Sequence, residues 1–372
     1  MIVYEEVFYS LLRAGLWATP PEIPEGFDQW DSVVCLAKEQ SVLAVVGQVM
    51  LNELQIVEKL DVDCRAHLKS FIMSSMLSHT ILNNTLLVVV TELRKHGIEG
   101  VLLKGQGIAR NYPVPELRQC GDIDFYVGVN NYIKTCKVLG SLATWKEDVE
   151  PMDTAKHYDI RIGKTTVEIH RYTEVNASSK YDAIYQKYSD EGMTHNLRVL
   201  DFAGTPVNTP SDDFNVFYVF NHMWHHFINS GVGLRQMCDW MLLLHNRRGT
   251  IDLEYLRSVL TEMDLMKPWK AFGYILVNDL GLPKDEFPFY DESQMWKRTR
   301  ILKHVHAEGN FGHERAIAKN RKGESYFFGK IKSMLLHVVR YSQLMLLFPL
   351  HAMRQFINTI RLGVKTVMKD MF

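Results

Sequence analysis

The sequence predicts an α+β protein with a small mixed β-sheet core, N-terminal helices and a C-terminal helical region. Apolar residues recur at three- and four-residue intervals through residues 1–97, which is typical of amphipathic helices. Short alternating runs that are typical of strands occur only within residues 99–171. Helical spacing resumes after about residue 210, where Ser211 is a good N-cap.

Each element has its own local signal. The helical pattern that runs from Cys64 ends in basic residues and Gly97, which together stop a helix. Next, "EGVLLKG" and "DIDFYV" are predicted as strands, with the helical turn "GIARNYP" between them, and "NYIKTCKVLGSL" returns to helical spacing. The runs "YDIRIG" and "TTVEIHRY" flank Gly163-Lys164, which predicts a hairpin.

These patterns divide the chain into four regions. They are an N-terminal helical region at 1–97, an α/β core at 98–205, a second helical region at 206–320, and basic amphipathic helices at 321–372. The last region carries nine Lys or Arg against two acids. Its helices suit packing against the body of the protein, with contact to an anionic membrane as the alternative.

Bulk composition excludes several classes of protein. A formal net charge of −1 over 372 residues gives no global electrostatic case for nucleic-acid binding. The five scattered cysteines form no CxxC motif, which argues against a disulfide framework or a zinc site. Glu5 and Glu6 stand where a signal peptide would be basic, and no long uncharged apolar run predicts a spanning helix. We therefore expect a cytoplasmic protein.

The run "DIDFYV" places two acids on one face of a strand. Side chains alternate along a strand, so Asp122 and Asp124 share a face while Ile123 points into the core. Two neighbouring carboxylates repel each other unless a cation lies between them, and Mg²⁺ prefers such oxygen ligands. The alternative is a solvated strand edge. Glu168, in the later run "TTVEIH", could complete the cluster if its strand pairs beside this one.

This combination resembles the nucleotidyltransferase superfamily typified by DNA polymerase beta, and more closely a group of uncharacterised bacterial nucleotidyltransferases. The resemblance is carried by "LLKG", "YP", "LR", "DID" and Val127 within residues 101–127, and by Glu168-Ile169-His170. It departs from the superfamily at Gln106, because a serine usually follows the glycine of the turn.

The resemblance implies Mg²⁺-dependent transfer of a nucleoside monophosphate from an NTP to an unidentified small-molecule or protein acceptor, with release of pyrophosphate. Asp122, Asp124 and Glu168 would hold two Mg²⁺ ions and perform the chemistry. The implied nucleotide-binding residues are Lys104, Gly105, Gln106 and Arg118. The alternative for Lys104 and Arg118 is that each is a solvated cation at a strand end. The alternative for the whole protein is an inactive relative that binds a nucleotide or a partner.

The implied acceptor side is formed by His170, His226, Arg235 and Asp239. His170 shares a strand face with Glu168, although a satisfied, half-buried histidine explains it equally well. Arg235 and Asp239 stand four residues apart and could simply pair on one helix face. The neighbouring histidines of "HMWHH" have zinc-ligand spacing, but the glutamate of the HExxH motif is absent.

Overall fold

The computed structural model of the protein describes residues 3–147, 156–176, 178–310, 312 and 326–371, with backbone alone at 326–331 and 363–371. These residues form an α+β fold with helices at both ends and a seven-stranded mixed sheet between them, as predicted.

The N-terminal region is helical. Its helices are α1 (Val3–Trp17), α2 (Trp30–Glu39), α3 (Leu43–Asn52), α4 (Leu54–Val57) and α5 (Val62–Lys95). Asp61 caps α5 by accepting a hydrogen bond from the Cys64 N–H at 2.6 Å. Gly97, at a φ of 67°, follows the end of the helix, as its sequence signal predicts.

Helix α5 packs against two different cores. Leu68 and Ile72 are buried in a helical core that includes the C-terminal helices, whereas Leu86 and Val89 are buried against the sheet. By length and composition, α5 is the one helix among the described residues that could cross a membrane, and 33% of its apolar window is buried.

The sheet has the strand order β3-β4-β5-β2-β1-β7-β6. Its strands are β1 (Val101–Leu102), β2 (Asp122–Tyr126), β3 (Trp145–Lys146), β4 (His157–Ile162), β5 (Thr165–His170), β6 (Arg198–Phe202) and β7 (Thr205–Thr209). The intervening helices are α6 (Gln106–Ala109), a 3₁₀ turn (Pro115–Leu117), α7 (Gly128–Gly140) and α8 (Ser179–Gly192). Strands β2 and β5 are parallel, as are β1 and β7, and the other neighbours are antiparallel.

The register between β2 and β5 determines the character of both faces of the sheet. Asp124 lies directly opposite Glu168, and Ile123 lies opposite Val167. Because side chains alternate, Ile123 and Val167 are buried in a core covered by α5 and α7. Asp122, Asp124 and Glu168 are on the other face. The strand of Glu168 thus pairs beside the strand of the two aspartates, which was the condition for a shared cluster in the sequence analysis.

Strands β6 and β7 were not predicted, because we expected strands only within residues 99–171. They form an antiparallel hairpin around Ala203-Gly204, and β7 pairs in parallel with β1. Asp201 and Pro206 obscure the pattern, since both residue types are depleted in strands.

The C-terminal helices complete the helical core. They are α9 (Asp212–Asn229), α10 (Leu234–Asn246), α11 (Leu253–Glu262), α12 (Met266–Asn278), α13 (Met295–Glu308), α14 (Tyr326–Met345) and α15 (Pro349–Met371), with 3₁₀ turns at Lys284–Glu286 and Glu292–Gln294. Ser211 caps α9 by accepting from the Phe214 N–H. The buried Arg340 ties α14 to the body by donating to Glu308 and to the carbonyls of α9. The helices α14 and α15 thus pack against the protein, and membrane contact stays a prediction.

Candidate active site

A cavity of about 1210 Å³ lies over the acidic face of the sheet and is lined on its other sides by residues of α9, α10 and α15. All of the predicted site residues except Gln106 line it. The fold therefore brings together residues from segments that are widely separated in the sequence.

Asp124 is the most buried acid of this site. Lys104 Nζ lies 2.9 Å from its Oδ1 and His170 Nε2 lies 3.0 Å from the same atom. Burial alone would raise the pKa of Asp124, but Lys104 and His170 outweigh it and hold the pKa well below its usual range. Asp124 is therefore a carboxylate at neutral pH.

His170 links the two facing strands. Its Nε2 also lies 3.2 Å from Glu168 Oε2, and its Nδ1 lies 3.3 Å from the carbonyl oxygen of Tyr172. All three partners are acceptors, so a protonated imidazole can donate to each of them. Burial lowers the pKa of His170, but the hydrogen bonds to Asp124 and Glu168 raise it above its ordinary value.

Carboxylates crowd this end of the cavity. Burial and the charge of Asp124 raise the pKa of Asp122. Burial and Glu168 raise the pKa of Asp159, which faces Glu168 across β4 and β5, to about 6. Such crowding is relieved by a divalent cation with oxygen ligands, so these residues fit Mg²⁺.

Two groups of described residues have ligand atoms within 4.8 Å of one another. They are Asp124 with Glu168 and His170, and His157 with Asp159 and Glu168. Asp122 lies outside both groups, so its part in metal binding stays a prediction.

The turn between β1 and α6 requires a glycine. Gly105 has a φ of 51°, and a Cβ there would lie 3.2 Å from Cys120 Sγ and 3.3 Å from the Asp122 carbonyl oxygen. The turn therefore lies directly against the beginning of β2, beside the carboxylates.

The side chain of Gln106 points away from the cavity. It is 1% exposed and donates a hydrogen bond of 2.8 Å to Asn83 Oδ1 of α5. It also contacts the carbonyl oxygen of His79 at 3.4 Å. The side chain of Gln106 therefore anchors α6 to α5, and the part of Gln106 in nucleotide binding stays a prediction.

Arg118 and Asp239 form a buried, two-pronged ion pair. Arg118 Nε and Nη2 each donate to a different Asp239 oxygen at 2.7 Å, and the Tyr112 hydroxyl donates to Oδ1 at 2.8 Å. The pairing of Arg235 with Asp239 is wrong, because Arg235 Nη1 donates instead to the Gln119 carbonyl oxygen at 2.6 Å. Arg118 Nη1 is buried and has no hydrogen-bond partner among the described residues.

A histidine cluster extends from the carboxylates along α9. His222 Nε2 lies 3.4 Å from Lys104 Nζ and 3.1 Å from His226 Nε2. Burial and Lys104 lower the pKa of His222 to about 4, and burial and His222 lower the pKa of His226 to about 2. Both rings are neutral at pH 7. The potential metal groups found among the described residues do not include these histidines.

Comparison with known protein families identifies the family of this chain. Residues 28–277 match the family model described as "uncharacterised nucleotidyltransferase", which spans more than half of the chain. The chain belongs to this family.

Two further comparisons add little to this assignment. The chain was also matched to the crystal structure of an antigenic nucleotidyltransferase-like protein from Paracoccidioides brasiliensis. The two sequences are 15% identical, and the match covers 55% of this chain and 92% of the other chain. Its TM-score of 0.31 is too low to support an argument about the fold. No curated protein matches the chain significantly.

The candidate site contains residues that the sequence analysis missed. Glu174, in the loop after β5, is buried and lies 2.9 Å from Lys156 Nζ and 3.5 Å from His225 Nδ1. A single acid in a loop gives no sequence signal. Asp159 did have a sequence signal, since it alternates with Ile160 in a predicted strand. Helix α15 also lines the cavity, although it lies wholly outside the family match.

Proposed function

We propose that this nucleotidyltransferase moves a nucleoside monophosphate from an NTP to an acceptor, releases pyrophosphate and depends on Mg²⁺. The observation that carries the proposal is the placement of Asp124 opposite Glu168, beside the Gly105 turn and inside a large cavity. Bound Mg²⁺ would neutralise the triphosphate and stabilise the charge of an in-line displacement. Asp122, Asp124 and Glu168 would hold it.

The chain's own residues would bind the triphosphate and handle the proton. In the reaction, an acceptor oxygen bonds to the α-phosphorus and the bond from that phosphorus to the β-phosphate oxygen breaks. The hydrogen bond from His170 lowers the pKa of Glu168, which keeps Glu168 ionised and also makes it a weaker base. Its carboxylate is the proposed general base that takes the acceptor's proton. Lys104 is charged, because Asp124 raises its pKa against the effect of burial. Its ammonium and the spare Nη1 of Arg118 are the proposed triphosphate contacts.

Fewer residues form the proposed acceptor side than the resemblance implies. Both oxygens of Asp239 accept hydrogen bonds from Arg118, and one also accepts from Tyr112. Asp239 therefore positions Arg118. His226 and Arg235 line the cavity and are the better candidates for direct contact with an acceptor.

One observation favours the alternative, a relative that binds a nucleotide without transferring it. The residue after the turn glycine is Gln106, and its side chain donates a hydrogen bond to Asn83 of α5. The contact that a serine hydroxyl makes with phosphate in the superfamily is therefore absent at this position.

Incubation of the full chain with each labelled NTP and Mg²⁺ tests the proposal. We expect pyrophosphate release and label on an acceptor, which can be the protein itself. Asp124→Asn and Glu168→Gln should lower release by about 10²-fold or more. Asp201→Asn, which changes an exposed aspartate on β6 of the same sheet, is the matched control and should behave as wild type. Calorimetry that shows Mg²⁺-dependent NTP binding without pyrophosphate release would favour the alternative, and absence of NTP binding would refute both.

We also propose a cytoplasmic location. All five cysteines are free, which suits a reducing compartment. Fractionation of cells that produce the tagged protein would test this, and recovery in an extracytoplasmic fraction would refute it.

A further inference from the structure

We propose that α15 forms a cationic subsite in the cavity, and that this subsite binds a phosphate group of the acceptor. The inference rests on the proposed function, because it assigns the acceptor's chemical class. The residues concerned are Arg354, Asn358 and Arg361, which all line the cavity.

The position of these side chains follows from the packing of α15. Arg354, Asn358 and Arg361 are spaced by four and three residues, so they lie on one side of the helix. On the opposite side, Ala352 is buried in the helical core and Phe356 packs against it. The core contacts therefore hold the polar side of α15 toward the cavity.

The charges at this end of the cavity do not cancel. Arg354 Nη1 lies 3.0 Å from Asp264 Oδ2, and both side chains are nearly half exposed, at 46% and 42%. His351 Nε2 lies 3.9 Å from the same oxygen. Arg361 is exposed and has no ion pair with any described residue. Asp264 thus pairs with Arg354, whereas the guanidinium of Arg361 has no carboxylate partner among the described residues, which leaves a net positive charge on this side of α15.

The two ends of the cavity are chemically distinct. Glu174 lies 3.9 Å from His222 Nδ1 and 3.5 Å from His225 Nδ1, both on α9. On one side, Lys104 connects His222 to Asp124, which belongs to the carboxylate end. The NTP and its Mg²⁺ need those carboxylates, so the cationic end is left for the second substrate.

The size of the cavity agrees with two ligands. Sites for single drug-sized ligands occupy roughly 300–1,000 Å³, whereas this cavity has about 1210 Å³. Guanidinium groups present a planar fork that matches phosphate oxygens, and the Asn358 amide adds a further donor. Two arginines suit a doubly charged phosphate monoester better than a neutral acceptor.

Calorimetric titration of the full chain with glycerol 3-phosphate, and with glycerol as the uncharged control, tests the subsite. The titration is run with and without saturating Mg²⁺ and a non-hydrolysable NTP analogue. We expect the phosphate ester to bind and glycerol not to bind. Replacement of both arginines, Arg354→Gln with Arg361→Gln, should weaken phosphate-ester binding about 10-fold or more. The affinity for the NTP analogue should be unchanged.

Arg300→Gln is the matched control, because it removes one exposed arginine on α13, also outside the family match. It should bind the phosphate ester as wild type does, and thermal unfolding should show that all variants are folded. Unchanged phosphate-ester binding in the double variant would overturn the subsite, as would failure of the wild type to bind the ester. An equal loss of NTP-analogue affinity would also overturn it and assign the arginines to the triphosphate. Failure of the proposed function is seen separately, as absence of Mg²⁺-dependent NTP binding by the wild type.

Discussion

Replacement of Asp239 by asparagine should destabilise the protein strongly. The Arg118 and Asp239 side chains are 4% and 7% exposed, and the two are joined by two bonds of 2.7 Å. The asparagine side chain would keep the shape of the aspartate but leave the Arg118 charge buried and uncompensated. Loss of one partner of a buried ion pair costs about 3–5 kcal/mol of unfolding free energy.

Equilibrium unfolding in urea at pH 7 measures this cost. The control is Asp264→Asn, which breaks the half-exposed pair with Arg354 and should cost no more than about 1 kcal/mol. A double replacement, Arg118→Met with Asp239→Leu, should recover most of the stability, because it removes both charges and keeps apolar volume. A cost for Asp239→Asn equal to that of Asp264→Asn would refute the argument that burial makes this pair decisive.

Two further predictions concern the turn and the C-terminal helices. Gly105→Ala should lose about 1–3 kcal/mol of stability and weaken Mg²⁺–NTP binding, because alanine is strained at a φ of 51°. The control is Gly140→Ala, which has open space around it and should change neither stability nor binding. Equal effects of the two replacements would refute the claim. Burial would raise the pKa of Glu308, but the nearby His304 and the hydrogen bonds from Arg340 lower it to about 2 from 4.5. The lowered pKa gives stability that is present above about pH 4.5 and lost as pH falls toward 2, up to about 3 kcal/mol. Urea unfolding should therefore show the gap between wild type and Glu308→Gln narrowing over that range, and a constant gap would contradict it.

The acidic face of the sheet could be predicted because it depends on local rules. Strand alternation places Asp122 and Asp124 on one side whatever the rest of the chain does. The pairing of β5 beside β2 could be named as a condition for the cluster, but no local pattern in the sequence determines which strands pair. The positions of Glu168 and His170 relative to Asp124 follow directly from that pairing.

The remaining parts of the site depend on contacts between distant segments. Arg118 and Asp239 are 121 positions apart, so the nearer Arg235 was the natural partner to consider. The side chain of Gln106 turns toward α5 because of packing across 23 positions, which no local pattern encodes. Likewise, nothing in the composition of α15 indicates that its polar side lines the cavity, since an amphipathic basic helix also suits a membrane surface.

The length of α5 has a consequence for dissecting this protein into fragments. One end of the helix contributes Leu68 and Ile72 to the helical core, and the other contributes Leu86 and Val89 to the packing beneath the sheet. A fragment that begins after Gly97 would keep α7 but lose the apolar cover that α5 gives to its strands, and would expose part of them to water. The segment 98–205 should consequently aggregate when produced alone, so trimming experiments on this protein need to start upstream of Val62.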